Sequence, residues 1–283
     1  MKNSLRMLGL ALCVLPMCLH AGTEQDLKQE YQPAKEQNTH SAEPIPAGTI
    51  LPVSLNSDLR SDKNGSGTAI IATTMQDVPL GRGETLRKGS MLTGHVVEVI
   101  TTGRGSDESK ISFQLDHVRL GNQTIPITTT LRAVASRSEV SAATPELTSS
   151  EYADNTIEIG GDQISYGEGA PVMVGSQVVG KYTSQGVLAT VDQDLGTPCR
   201  VTIDSHAHPQ AFWLFSVNAC GAYGFGDLRI LQSGRTESPG EITLASSRKA
   251  VKVDKGSAML LRVDGTGPEE AQARTTPSRE IGQ

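Results

Sequence analysis

Two histidines separated by one residue form the pattern that most directly suggests chemistry in this sequence. His206 and His208 follow an apolar run at residues 201–203. In an extended strand, residues two apart point to the same side, so both imidazoles could face one metal ion of a hydrolase. No histidine follows His208, and a third imidazole would have to come from a distant part of the chain. The pattern favours a solvated hairpin loop, with a metal-dependent hydrolase as the less favoured alternative.

A second cluster of residues with possible functions is aromatic. The group comprises Phe212, Trp213, Phe215, Tyr223 and Phe225. Such residues form either a sugar-stacking or partner-docking surface or the interior of a sheet. Trp213, Phe215 and Val217 alternate as they would on one face of a buried strand, which favours the interior. The alternative binding surface would consist of Phe212, Trp213, Tyr223 and Phe225.

Patterns typical of nucleophilic catalysis and of phosphate loops are missing from the sequence. There is no Gly-x-Ser-x-Gly, and the glycine pairs at 81–83 and 103–105 lack the Gly-Lys-Ser/Thr of a phosphate loop. Lys+Arg 25 against Asp+Glu 31 gives a net charge of −6, and the charges are scattered, which argues against nucleic acid. We therefore expect a non-enzymatic protein that has no cofactor and no nucleic-acid partner.

The N-terminus has the features of an export signal. Lys2 and Arg6 precede an apolar run at residues 7–19, and Ala21 provides a small residue for cleavage. This run is shorter than the ~20 residues that a membrane-spanning helix needs. We expect residues 1–21 to be removed as a signal peptide, which leaves a periplasmic or secreted protein without a transmembrane segment.

Cysteine usage agrees with export. After signal cleavage the mature chain keeps only Cys199 and Cys220, an even pair in an oxidising compartment. A disulfide between these two residues is the favoured interpretation. A thiol redox role is less favoured, because the chain has no Cys-x-x-Cys pair to lower a thiol pKa.

The elements that would position these residues are β-strands. Short alternating or β-branched runs separated by turn residues indicate strands and predict an all-β fold. In the first half the predicted strands are 49–55, 68–74, 91–100, 110–120 and 123–134. In the second half they are 172–174, 177–181, 187–192, 200–204, 211–217, 228–232, 241–245 and 258–263. We expect two β-barrel or sandwich units, at residues 47–135 and 170–264.

Polar segments separate the predicted units. Residues 22–46 have the composition of a disordered linker, and residues 136–169 that of a linker or long loop. Residues 265–283 are predicted to be a disordered tail.

Two further histidines lie in predicted strands of the first unit. His95 and His117 could approach each other if their strands pair. His117 has the same parity as the apolar residues Ile111, Phe113 and Leu115, which predicts a partly buried, hydrogen-bonded histidine.

Three short motifs in the first predicted unit carry a family resemblance. Residues 45–55 read Ile-Pro-Ala-Gly-Thr-Ile-Leu-Pro-Val-Ser-Leu, Ser61-Asp62 and Gly65 follow, and residues 86–94 read Leu-Arg-Lys-Gly-Ser-Met-Leu-Thr-Gly. This stretch resembles the C-terminal β-barrel domain of TrbI-like subunits of conjugation and type IV secretion channels. The resemblance extends over residues 45–130 and implies a small β-barrel in a bacterial envelope protein. The chain lacks the inner-membrane helix, proline-rich spacer and apolar helical insertion of that family, so the resemblance implies the barrel and not a channel.

The second half has a separate resemblance. Residues 211–216, 219–225, 234–236 and 260–263 are similar to the C-terminal part of uncharacterised exported bacterial proteins, and no activity comes with that similarity. Together these features predict an exported, non-enzymatic cell-envelope protein with a structural or protein-binding role. The alternative is a module that binds cell-wall glycan or another surface through the residues around Trp213. Partners among envelope proteins and homo-oligomer formation both remain open.

Overall fold

The computed structural model describes residues 45–81, 83–103, 107–144, 156–157, 159–161, 164–165, 168–191, 208–231, 240–247 and 249–265. These residues belong to one compact unit and are mostly in β-strands, with one short helix, which confirms the predicted all-β fold. The predicted signal peptide, the C-terminal tail from residue 266, Cys199 and His206 lie outside the described residues.

Nine strands precede the helix that the structure describes. They are β1 (Ile50–Leu55), β2 (Leu59–Arg60), β3 (Ala69–Thr74), β4 (Val78–Gly81), β5 (Glu84–Leu86), β6 (Met91–Ile100), β7 (Ser109–Leu120), β8 (Gln123–Pro126) and β9 (Thr128–Ala135). Helix α1 (Arg137–Ala143) follows. The later strands are β10 (Thr156–Ile157), β11 (Ile164–Ser165), β12 (Pro171–Val174), β13 (Gln177–Thr183), β14 (Gly186–Ala189), β15 (Gln210–Trp213), β16 (Gly221–Tyr223), β17 (Leu228–Leu231), β18 (Ile242–Ser246), β19 (Lys252–Val253) and β20 (Ala258–Gly265).

The main sheet has ten strands in the order β16-β9-β20-β1-β3-β6-β7-β18-β17, with β8 paired to β7. Its pairings are antiparallel except for β16 with β9. The main sheet contains strands from both of the units that the sequence predicts as separate. Strand β20 of the second predicted unit lies between β1 and β9 of the first. Local periodicity identifies a strand but not its partner, and this partner lies at the other end of the chain. Among the described strands the two ends of the order, β16 and β17, are not hydrogen-bonded to each other, so the predicted barrel is not closed.

A second sheet covers part of the main sheet. Strands β12-β13-β14-β15 form it, and a hydrophobic core separates it from β9, β20 and β1. In β20, Met259 and Leu261 point into the core of the main sheet, whereas Ala258 and Leu260 point into the core between the sheets. Burial on both faces explains why residues 258–261 are continuously apolar instead of alternating.

Two buried glutamines connect the sheets by hydrogen bonds. The Gln210 side-chain oxygen in β15 accepts from the Ile50 N–H in β1 at 2.9 Å. The Gln76 side chain, in the turn after β3, donates to the Val187 carbonyl at 3.0 Å and accepts from the Trp213 N–H at 2.7 Å. Because both glutamines are about 1% exposed, these bonds satisfy polar groups that water does not reach.

The segment predicted as a linker or long loop, residues 136–169, begins with helix α1. Ser136 is its N-cap and accepts from the Glu139 N–H at 3.3 Å. The spacing Ser-x-x-Glu is that of a capping box, a helix signal that the surrounding polar composition concealed. At seven residues the helix is short, and no helix of the described residues has the length and apolar character needed to cross a membrane.

Candidate functional site

The structure places the aromatic segment mainly in the core between the two sheets. Phe212 is 0% exposed and Trp213 is 8% exposed. The rings of Trp213 and Phe215 pack edge to face, with centroids 6.4 Å apart. Tyr223 and Phe225 are half-buried and pack against the two cores. Phe212 and Trp213 therefore do not form the exposed sugar-stacking surface, because the small sheet packs them against the main sheet.

Cys220 lies in the turn that leads into β16. The Tyr223 hydroxyl accepts from the Cys220 N–H at 2.8 Å and donates to the Cys220 carbonyl at 3.0 Å, so this side chain closes the turn. Tyr223, which the alternative prediction assigned to a binding surface, therefore has a structural role in this turn. The pairing of Cys220 with Cys199 stays a prediction.

The histidine pair is only partly within the described chain. His208 is half-buried just before β15, whereas His206 lies outside the described residues. Across the described residues, no group of three His, Cys, Asp or Glu side chains is arranged to hold a metal ion.

A large exposed surface of the main sheet was not predicted. Across β3, β6 and β7, Ile71 pairs with Thr93, and Thr93 pairs with His117, so these three side chains share one outward face. We call this surface the open face and define it by Ile71, Met91, Thr93, His95, His117 and Arg119. Ile71 is 39% exposed, and the side chains of His95 and His117 are 46% and 47% exposed.

A β-bulge turns His117 outward. Thr93 pairs with His117 and the next residue, Gly94, pairs with Leu115, so Asp116 is an extra residue in β7. Before the bulge the odd residues of β7 point inward, and after it Val118 is buried instead. His117 is exposed and not partly buried as predicted, because this extra residue reverses the alternation, whereas the predicted hydrogen bond is present and is made with Asp116.

The bulge brings two imidazoles to one carboxylate. The Asp116 carboxylate lies 3.3 Å from His95 Nδ1 and 2.6 Å from His117 Nδ1. Residues in and just before β9 form hydrogen bonds with the backbone carbonyls around the bulge. The Thr129 hydroxyl donates to the Leu115 carbonyl, and the Ile127 N–H donates to the Asp116 carbonyl. The His-Asp-His arrangement is therefore held by a fixed backbone on an exposed surface.

A pocket adjoins the open face. It has a volume of about 350 Å³ and is lined by Lys88, Gly89, Ser90, Met91, Arg119 and Gly121. Asp77 anchors its wall, since this carboxylate accepts from the Lys88 N–H at 2.7 Å and from the Arg87 guanidinium at 3.0 Å. The Lys88 N–H bond, with the Arg87 guanidinium as a further cause, holds the pKa of Asp77 below its usual value.

The arrangement and charge of these surfaces are suited to binding. The open face offers an exposed aliphatic side chain beside imidazole and guanidinium groups, and the pocket adds a second cation. Comparisons of the chain with protein-family models, with curated proteins and with solved structures give no match.

Proposed function

We propose that this is an exported, non-enzymatic protein of the bacterial cell envelope that binds a partner protein through the open face. The partner surface would present an apolar side chain flanked by carboxylates. Apolar contact with Ile71 would supply binding energy, and the Arg119 guanidinium would select acidic neighbours.

The exposure of the open face is the observation that carries this proposal. One end of the main sheet, β9-β20-β1, is covered by the small sheet, whereas Ile71 in β3 is 39% exposed. Ile71 and Met91, which is its diagonal neighbour on β6, form an apolar centre rimmed by polar side chains, an arrangement that favours a protein-binding surface. The Asp116 carboxylate contacts both imidazoles of the open face.

The envelope location rests on the sequence. Residues 1–21 have the order of a signal peptide, and the resemblance of residues 45–130 to a TrbI-like domain points to the same compartment. We expect a mature chain that begins at Gly22 and contains a Cys199–Cys220 disulfide. The intact mass of protein isolated from the periplasm should equal that of residues 22–283 less two hydrogens. A mass that includes residues 1–21, or two cysteines that react with an alkylating reagent before reduction, would contradict this expectation.

Partner binding can be tested with a photo-crosslinking amino acid at Thr93, in the middle of the open face. We expect an adduct with one envelope protein, and the purified partner should bind the wild-type chain. Ile71→Glu should weaken that binding by at least about tenfold, because it places a carboxylate against acidic neighbours.

Val178 provides the matched control. It is 60% exposed on β13 of the small sheet and, with Ile71, is one of two exposed large aliphatic residues that the structure describes. Val178→Glu should leave the affinity unchanged. Equal losses for the two variants, or an adduct between two copies of this chain, would count against a separate partner at the open face.

A further inference from the structure

Two cationic side chains from separate parts of the chain line the pocket next to the open face. Lys88 belongs to the turn between β5 and β6, and Arg119 lies at the end of β7, before the hairpin to β8. None of the lining residues carries a carboxylate. The pocket, with a volume of about 350 Å³, is large enough for a small anionic group and part of the molecule that carries it.

Hydrogen bonds hold the Lys88 turn in place. The Gly89 N–H donates to the Thr74 carbonyl at 2.8 Å, and the Ser90 N–H donates to the Thr74 hydroxyl at 3.0 Å. Gly89 has a φ of 82°, a left-handed conformation that glycine adopts without strain. The turn is therefore formed before any ligand arrives, and little ordering is required on binding.

The cation on the opposite wall is also oriented. Arg119 Nε donates to the Gly121 carbonyl at 3.3 Å, a bond that favours a guanidinium position beside the hairpin. Within the described chain the Arg119 side chain makes this one hydrogen bond, through Nε. Its two terminal nitrogens can therefore donate to another acceptor.

The balance of charge leaves the pocket positive. Asp77, the carboxylate beside the turn, is occupied by the Lys88 N–H and by the Arg87 guanidinium. The ion pairs among the described residues do not include Lys88 Nζ or Arg119. Two positive side chains thus line one pocket in a chain whose net charge is −6.

We infer that this pocket binds a phosphoryl group, a function that goes beyond partner binding although the pocket shares Met91 and Arg119 with the open face. A phosphate monoester carries close to two negative charges at neutral pH, which matches one lysine and one arginine. The guanidinium fork pairs with two phosphate oxygens, the ammonium acts as a point charge, and the Ser90 hydroxyl supplies a neutral donor. A carboxylate carries half that charge and uses fewer of these donors.

Amide chemical shifts of the full chain, titrated with inorganic phosphate at constant ionic strength, test the inference. We expect saturable shifts at Gly89, Ser90 and Gly121, with a dissociation constant on the order of 1 mM or tighter. Acetate titrated in the same way should bind at least about tenfold more weakly. No saturable shift with phosphate, or equal affinity for acetate, would overturn the inference.

Matched variants distinguish a specific phosphate site from long-range electrostatic attraction. Lys88→Gln and Arg119→Gln should each weaken phosphate binding by at least about tenfold, and because both side chains are exposed the variants should remain folded. Lys63→Gln and Lys181→Gln change the net charge by the same amount at exposed positions outside the pocket and should bind phosphate as the wild type does. Equal weakening in all four would show long-range attraction only and would overturn the inference.

The source of the phosphoryl group is distinguished by vesicles. Phosphatidylcholine vesicles with and without phosphatidic acid present the same surface with and without a phosphate monoester. Cosedimentation that requires phosphatidic acid, Lys88 and Arg119 supports a lipid headgroup as the source. Phosphate binding without such cosedimentation supports a free phosphate or a soluble phosphate ester.

Discussion

Replacing Gly94 with alanine should destabilise the protein by about 3 kcal/mol, near the upper end of what overpacking a strand interface costs. A Cβ atom at this position would lie 1.8 Å from the Gln114 carbonyl oxygen and 2.8 Å from Leu115 Cα. Both are backbone atoms of β7 and cannot rotate away, so β6 and β7 would have to separate at the bulge. Urea denaturation should show a lower midpoint for Gly94→Ala with an unchanged slope.

Gly65 is the control for the substitution itself. A Cβ atom there would meet no atom within 4 Å, and its backbone does not have a positive φ. Gly65→Ala should change stability by no more than about 0.5 kcal/mol. If Gly94→Ala is as stable as Gly65→Ala, the close approach of β6 and β7 at the bulge does not exist in solution.

Local strand patterns were sufficient to predict most of the elements. The predicted strands at 49–55, 68–74, 91–100 and 110–120 correspond to β1, β3, β6 and β7 within a few residues. Each alternates or is rich in β-branched residues, a signal that depends only on neighbours in sequence. The strand order of the main sheet could not be predicted in this way, because the pairing of β1 with β20 joins residues about two hundred positions apart. No periodicity specifies such a partner.

The open face was missed because of one extra residue. Counting by twos from Ile111 places His117 inside, and only the bulge at Asp116 turns it outward. A signal for the bulge is present in Gly94, since an isolated glycine inside a strand often marks a bulge or a close backbone approach. In the sequence, Gly94 is also the last residue of the motif at 86–94 that carries the family resemblance, and this motif does not indicate a change of alternation beyond Leu115.

The aromatic segment shows the opposite case. The alternation of Trp213, Phe215 and Val217 favoured a core, and all three are buried. The pattern did not predict Phe212, which has the opposite parity in a strand and is also buried. Strand β15 is buried on both faces, because Ala211 packs into the core of the main sheet and Phe212 into the core between the sheets. Trp213, whose φ is 52°, breaks the alternation and packs into the same core as Phe212. A left-handed conformation at a tryptophan costs of the order of 1–3 kcal/mol, and tertiary contacts must offset that cost.

Gln76 accepts from the Trp213 N–H and so offsets part of the cost of the left-handed conformation at Trp213. Gln76→Leu should therefore lower stability by about 4 kcal/mol. The substitution removes the acceptor of the Trp213 N–H and a donor to the Val187 carbonyl in a site that water does not reach. Each buried polar group left without a partner costs about 1–3 kcal/mol. Chemical denaturation measures the loss. Gln177→Leu, at an exposed position on β13, is the control and should stay within about 0.5 kcal/mol of the wild type.

Gln76→Glu separates the hydrogen bonds from the shape of the side chain. An ionised carboxylate at this position accepts from the Trp213 N–H but has no proton to donate to the Val187 carbonyl, and burial penalises its charge. The protonated form can make both bonds. Burial therefore raises the pKa of the introduced carboxyl, and its deficit in stability relative to wild type should shrink as pH falls towards 4. Gln76→Leu should show a deficit that does not change with pH. Identical pH dependence of the two variants would mean that water reaches the carboxyl at position 76, which contradicts the buried hydrogen-bonded site.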